Sequence, residues 1–183
     1  MSQEQETRWP PVAVREKLAA QLRAFTRAGD VMRFHTRPQL QPQNVGAHSY
    51  GVAWLCWLLR AGHPTAELLY AALIHDTPEF ITGDVPAPVK HKMGNELGEL
   101  EQAIYGKAQL RQPDLSSEER RVLHLADSLE GLRHCVRERQ LGNQLLKTCY
   151  ERYRDKAELL ARAAHERYVL DFIVNQWKEA TCN

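Results

Sequence analysis

Apolar residues recur at intervals of three and four along most of this chain, and that spacing predicts helices. Val14, Leu18, Leu22 and Phe25 mark an amphipathic helix over 12–27, with Pro11 suited to its first turn and Gly29 to its end. The period is lost from Asp30 to Pro42, where Pro38 and Pro42 forbid a regular helix, so this stretch reads as an irregular loop. Asn44 caps a second helix over 45–60, with Val45, Val52, Leu55, Leu58 and Leu59 mostly inward and Gly62 as its stop. Thr65 caps a third, AELLYAALIHD, which is apolar nearly all round, is broken after Asp76 by Pro78, and so belongs in the middle of the core.

The segment GDVPAPVK holds two prolines and a glycine and reads as a loop before a more polar helix over 95–110. Ser116 or Ser117 with Glu119 forms a capping box for a helix through Val122, Leu125, Leu129 and Leu132, with Asp127 inside it. Two further helices are predicted over 143–163 and 166–178. No segment alternates with period two, and no Asn-Gly or Asp-Gly turn separates β-rich runs. The expected fold is therefore an all-α bundle, one domain over 1–183, without repeat or linker.

Composition narrows function mainly by exclusion. Lys plus Arg number 24 against 23 for Asp plus Glu, so no chain-wide field exists to hold a nucleic acid polymer or an anionic membrane. The longest apolar run, 52–59, is too short to span a bilayer, and MSQEQETRW lacks the apolar stretch of a signal peptide, so a cytoplasmic protein is expected. Cys56, Cys135, Cys149 and Cys182 form no CxxC pair and read as reduced thiols, mostly buried, with Cys182 in a frayed tail. Trp54 and Trp57 share a helix with Leu55 and Leu58, which suits a core or a subunit interface better than base stacking.

The chemistry concentrates on His75 and Asp76, an imidazole and a carboxylate side by side where an apolar helix ends. A buried carboxylate is costly unless it is paired or binds a cation, and a divalent metal removes that cost. His48 and Asp127 lie on other helices, and a helical bundle can converge such residues on one internal ion. Two imidazoles and two carboxylates suit one divalent ion such as Zn, Co, Mn or Mg, and leave positions open for water and substrate. Taken singly, a helical histidine or an HD dipeptide is commonplace; the joint pattern H…HD…D, with the last Asp in LADSLE, is far more specific.

Three stretches, MRFHTRPQLQPQNVGAHSYGVA, ALIHDTPEFITGDVPAPVK and LHLADSLEGL, resemble the signature blocks of HD-domain phosphohydrolases, and more narrowly those of bacterial 5'-deoxynucleotidases and related phage dATP triphosphohydrolases. The resemblance spans about residues 33–132. It implies that His48, His75, Asp76 and Asp127 hold one divalent metal and that Glu79 and Asp84 are catalytic carboxylates, one orienting the attacking water and the other protonating the leaving oxygen, in an order the sequence leaves open. It further implies that Arg33 and Lys90 clamp phosphate oxygens; Arg37 and Lys92, which sit nearby without a motif position, are weaker candidates for the same work. Phe34 matches an aromatic that packs against the sugar and excludes a 2'-hydroxyl, although 5'-deoxynucleotidases usually carry tryptophan there. His35 and Thr36 are candidates to touch the base or a phosphate, with a turn-stabilising role as the alternative.

Ala47 stands where the deoxynucleotidases typically carry Glu, which makes the pocket less acidic and favours a more highly charged substrate. With the phage-like NVGAHSYGVAWL it tilts the expectation toward hydrolysis of a deoxynucleoside triphosphate, dATP foremost, to deoxynucleoside and triphosphate. The alternative is removal of phosphate from a deoxynucleoside monophosphate. A non-catalytic metal-binding module is a third reading, opposed by Glu79 and Asp84, and a two-metal phosphodiesterase finds only His91 and His124 in the interval where extra ligands would fall. The resemblance also implies a homo-oligomer.

Overall fold

The computed structural model describes residues 10–180, with side chains through 175, and among these it contains nine helices and no strand. They are α1 (Val12–Gly29), α2 (Val45–Leu59), α3 (Ala66–Ile74), α4 (Glu79–Thr82), α5 (Ala87–Met93), α6 (Asn95–Lys107), α7 (Ser117–Gln140), α8 (Lys147–Leu160) and α9 (Ala164–Ala180). Cys182 lies outside the described residues; Cys56, Cys135 and Cys149 are buried free thiols. No described helix is long and apolar enough to cross a membrane.

Helix starts follow local chemistry. The Asn44 side chain accepts from Ala47 N at 2.8 Å and opens α2, and Thr65 accepts from Leu68 N at 3.1 Å and opens α3. Ser116 and Glu119 form the full reciprocal capping box of α7. Gly62, at φ +83°, lets the chain turn out of α2.

The centre of the core is α7, not α3. Val122, Leu125, Ala126, Leu129, Leu132, Cys135 and Val136 are all buried, and α2, α3, α8 and α9 pack round this one helix. Helix α3 buries Leu68, Ala71 and Ala72, but its Leu73 is 54% exposed; at nine residues it is too short to be enclosed on every side. Three other expectations also change. The GDVPAPVK segment is not all loop: Pro86 caps α5 and Pro88 falls in its first turn, where the missing N–H and fixed φ of proline do no harm. The α1 stripe of Val14, Leu18, Leu22 and Phe25 faces solvent, Phe25 being 73% exposed, and the helix instead buries Ala24 and Ala28. Leu58 likewise points outward on α2.

Buried polar groups on α7 fix the irregular loop before α2. Glu130, His134 and Glu138 stand four residues apart on one helix face. Glu130 Oε1 accepts from Gln43 Nε2 at 3.0 Å, His134 Nε2 meets Gln39 Oε1 at 2.9 Å, and Glu138 accepts the backbone amides of Leu40 at 2.8 Å and Gln41 at 2.6 Å. Loop amides that lack a helix or strand partner thus find one in α7. Two glycines permit close approach: a Cβ on Gly51 would come 2.7 Å from Glu130 Cγ, and one on Gly131 would come 2.6 Å from the Tyr153 ring.

Candidate functional site

The C-terminal end of α3, the first turns of α2 and the middle of α7 meet at one point. His48 Nε2 lies 3.2 Å from His75 Nε2, and each lies 3.4 Å from the same atom, Asp76 Oδ2. Asp127 reaches the group from α7, its Oδ1 3.4 Å from His48 Nε2. The first three offer ligand atoms all within 4.8 Å of one another; Asp127 closes the fourth side through His48 and is half turned toward Lys156, whose Nζ lies 3.5 Å from Asp127 Oδ2.

The donor set fits a divalent ion. Ligands held at about 2.0–2.2 Å from one ion stand roughly 3–3.5 Å from each other, the spacing seen here. The outer ring nitrogens settle the tautomers: His75 Nδ1 donates to Ala72 O at 2.8 Å, and His48 Nδ1 donates to Glu130 Oε2 at 2.6 Å. A neutral ring that gives its proton on Nδ1 presents a lone pair on Nε2. Two lone pairs 3.2 Å apart repel unless a cation or proton lies between them.

The electrostatics keep the carboxylates charged. Burial alone would raise Asp76 and Asp127, but His75 and His48 beside Asp76, and His48, His75 and Lys156 around Asp127, hold both below the usual carboxylate range. Burial would also raise Glu130, yet the His48 hydrogen bond and the charges of His48, Arg33 and Arg133 bring it to about 2. Burial and Arg33 both push the His48 imidazole down, and its contacts with Asp127, Glu130 and Asp76 outweigh them, so it rises.

Glu79 sits one turn beyond the His-Asp pair and behaves differently. It is 4% exposed, and burial, reinforced by the Asp76 charge, pushes its carboxyl up to about 8 against the pull of Lys90. Lys90 Nζ donates to Glu79 Oε1 at 3.2 Å, whereas Glu79 Oε2 has no hydrogen-bond partner among the described residues.

A cavity of about 560 Å³ opens over this group and is lined by Arg33, Phe34, Asp84 and Lys90 among others. The structure thus brings together nearly all the residues expected from sequence. Arg33 is buried, its Nη1 donating to Gln43 Oε1 at 2.9 Å and standing 3.5 Å from Glu130. Asp84 Oδ2 accepts from the Phe34 N–H at 2.6 Å, which ties the loop to the α4–α5 connection. Phe34 takes a left-handed conformation, φ +54°, and its ring stacks on His134 with centroids 5.1 Å apart. His35 and Lys92 are the exceptions: the same turn sends the His35 side chain outward, 3.8 Å from Asp84, Lys92 is exposed on α5, and both lie outside the cavity lining, while Thr36 and Arg37 line the cavity.

Several participants were not anticipated. Glu130 orients His48, and the signal for it was present, because it follows Asp127 by three residues on one helix and so shares its face. Tyr153, Arg152 and Lys156 of α8 line the cavity wall, but no local pattern marks them; only the packing of α8 on α7 does.

Known proteins share both the sequence pattern and the fold. The model of the 5'-deoxynucleotidase YfbR-like family matches residues 21–104, which include His48, His75, Asp76, Glu79 and Asp84. The 5'-deoxynucleotidase YfbR of Salmonella arizonae is 27% identical over 170 residues, covering 79% of this chain and 84% of its own. A dATP triphosphohydrolase of Salmonella phage PMBT28 is 33% identical over 124 residues, covering 60% of this chain and 63% of its own. Among solved structures, the HD phosphohydrolase DatZ of cyanophage S-2L, bound to dA and one catalytic Zn2+ ion, matches with a TM-score of 0.61 at 24% identity, over 86% of this chain and 96% of that one. The likeness to HD-domain phosphohydrolases is borne out, and the chain has the all-α HD fold.

Proposed function

We propose that this HD-domain enzyme is a metal-dependent deoxynucleotide phosphohydrolase whose primary reaction is that of a 5'-deoxynucleotidase. The sequence alone tilts toward a triphosphate substrate. The family model and the bacterial relatives weigh the other way, since they are 5'-deoxynucleotidases. One observation supports hydrolysis above all: the His48, His75 and Asp76 donors converge beside a buried carboxyl, Glu79, with one oxygen free.

His48, His75, Asp76 and Asp127 are the proposed holders of the ion. When bound there, a divalent ion lowers the pKa of water and polarises a phosphoryl oxygen. Arg33 and Lys90 face the cavity and bind the phosphate, Arg33 already anchored by Gln43. A water oxygen bonds to phosphorus, the bond from phosphorus to the 5' oxygen breaks, and its electron pair stays on that oxygen. Glu79, whose carboxyl burial pushes up to about 8, supplies a proton to the leaving oxygen and takes one back from the attacking water, so the products are a deoxynucleoside and orthophosphate. Asp84 serves by holding the Phe34 backbone, and with it the cavity edge.

A triphosphohydrolase is the second reading, favoured by the phage relative and by Ala47 beside the site. Purified enzyme with each dNMP, rNMP and dNTP, and Zn, Co, Mn or Mg, separates the two. Orthophosphate released from dNMPs is expected; tripolyphosphate from dATP with every dNMP untouched overturns the first reading. Self-association, also expected, belongs to the proposal, and light scattering measures it.

A further inference from the structure

The cavity wall built by α8 presents cations that cleavage of a monophosphate leaves unused. Thr148, Arg152 and Lys156 stand four residues apart, hence on one face of α8, and all three line the cavity. Lys156 is the rung beside the metal centre, its Nζ 3.5 Å from Asp127 Oδ2. Arg152 lies about 6 Å further along the helix axis, at 1.5 Å per residue, its guanidinium 5.3 Å from the Tyr153 ring centroid. Arg37 reaches the far end, where its Nη1 donates to Leu145 O at 3.2 Å just before α8 begins.

Charge balance separates this wall from the opposite one. On the opposite wall Lys90 is hydrogen-bonded to the Glu79 carboxyl, and Arg33 is paired with Glu130. Among the described residues, no carboxylate stands within 4.0 Å of Arg152 or Arg37. A row of cations therefore leads away from the metal centre, and its outer members lack an internal counter-charge. An anion of one phosphoryl group reaches only the first rung, whereas a linear polyphosphate follows the row.

We propose that Lys156, Arg152 and Arg37 form a polyphosphate subsite, which holds the phosphate groups of a deoxynucleoside di- or triphosphate beyond the one joined to the sugar. This rests on the reading above, in which the sugar-linked phosphate sits at the metal centre. Tyr153 acts as a positioning residue for Arg152 through its ring face, and the close packing of that ring on Gly131 fixes it.

The test uses metal-loaded enzyme, with the ion in fixed excess so that chelation affects every variant alike. Binding of orthophosphate, pyrophosphate and tripolyphosphate is measured by calorimetry, and each is used to inhibit dAMP hydrolysis. Tripolyphosphate is expected to bind more tightly than orthophosphate by about tenfold or more, the worth of one added charge-assisted contact. Arg152→Glu and Arg37→Glu should each weaken tripolyphosphate by about tenfold while moving orthophosphate less than about threefold; Arg152→Lys should retain most of the preference. Arg152 and Arg37 are exposed, and a thermal melt confirms that the variants fold. Equal affinity for ortho- and tripolyphosphate overturns the subsite, and so does an equal loss of both in the charge-reversed variants. Calorimetry needs no turnover: tight, Arg152-dependent tripolyphosphate binding by an enzyme that leaves dAMP intact sinks the monophosphate reading and upholds the subsite.

Discussion

His48 donates its Nδ1 proton to Glu130 Oε2 at 2.6 Å, deep in the protein, and this leaves Nε2 free to face His75 and Asp76. Glu130 touches no proposed substrate group, yet it fixes the ring that does the coordinating. Glu130→Gln keeps size and most hydrogen bonds but removes the charge. It is expected to weaken metal affinity by roughly 10–100-fold, as loss of a ligand's outer partner does elsewhere. Titration with a chromophoric competitor measures this, and an unchanged affinity would show that Glu130 is only a core anion.

Gly51 makes room for that carboxylate. Gly51→Ala places a Cβ 2.7 Å from Glu130 Cγ, and one of the two must move. Overpacking of this kind costs about 1–3 kcal/mol. Stability and metal affinity should fall together, because the atom pushed is the one that leads to His48. A variant as stable as the parent, with the same affinity, would mean that Glu130 relaxes freely.

Asp127 stands slightly apart from the tight triplet, in contact with both His48 and Lys156. Asp127→Ala is expected to fold, since the side chain is partly exposed, and to lose both bound metal and turnover. Elemental analysis of the dialysed protein beside an activity assay checks it. Full metal content with full activity would remove Asp127 from the proposed set.

Away from the metal centre, Glu166 should contribute to acid sensitivity. Arg121 donates to both of its oxygens, at 2.6 and 3.1 Å, and the amides of Arg162 and Ala163 add two more bonds at 2.7 and 3.0 Å. Burial would raise this carboxyl, but those bonds hold it at about 2. A depressed folded-state pKa contributes stability above the unfolded value of about 4.3, and that contribution is lost as pH falls toward the folded one. The wild type should therefore destabilise progressively between about pH 4.3 and 2. Glu166→Gln should lose about 1.5–3 kcal/mol at neutral pH, because Arg121 keeps Glu118 and Leu160 O but loses a charge-assisted bond to its buried partner, and should reduce that acid slope. Denaturant melts at several pH values decide; an equally steep slope in the variant would place the effect elsewhere.

What the sequence revealed was mostly local. The caps Asn44, Thr65 and Ser116 each act within three residues, and the His75-Asp76 pair announces itself by interrupting an apolar helix. Pro86 and Pro88 misled because a proline reads as a breaker unless the helix start is known, and here they are the helix start. The central place of α7 was hidden by its many charged residues, two of which, Glu130 and Glu138, hold the loop and are fully buried rather than facing water. Arg152 and Lys156 had no signal of their own, because a solvated helix face and a cavity wall look alike until α8 is packed against α7. The outward stripe of α1 shows the reverse, an apolar period that the chain's own core does not use.

The central claim, four side chains from three parts of the chain meeting on one cation, is tested most directly by anomalous diffraction from crystals grown with Mn or Zn. One strong peak per chain is expected, bounded by His48 Nε2, His75 Nε2 and carboxylate oxygens of Asp76 and Asp127. A peak that leaves out His48 or Asp127, or none at this position with metal in excess, would contradict it.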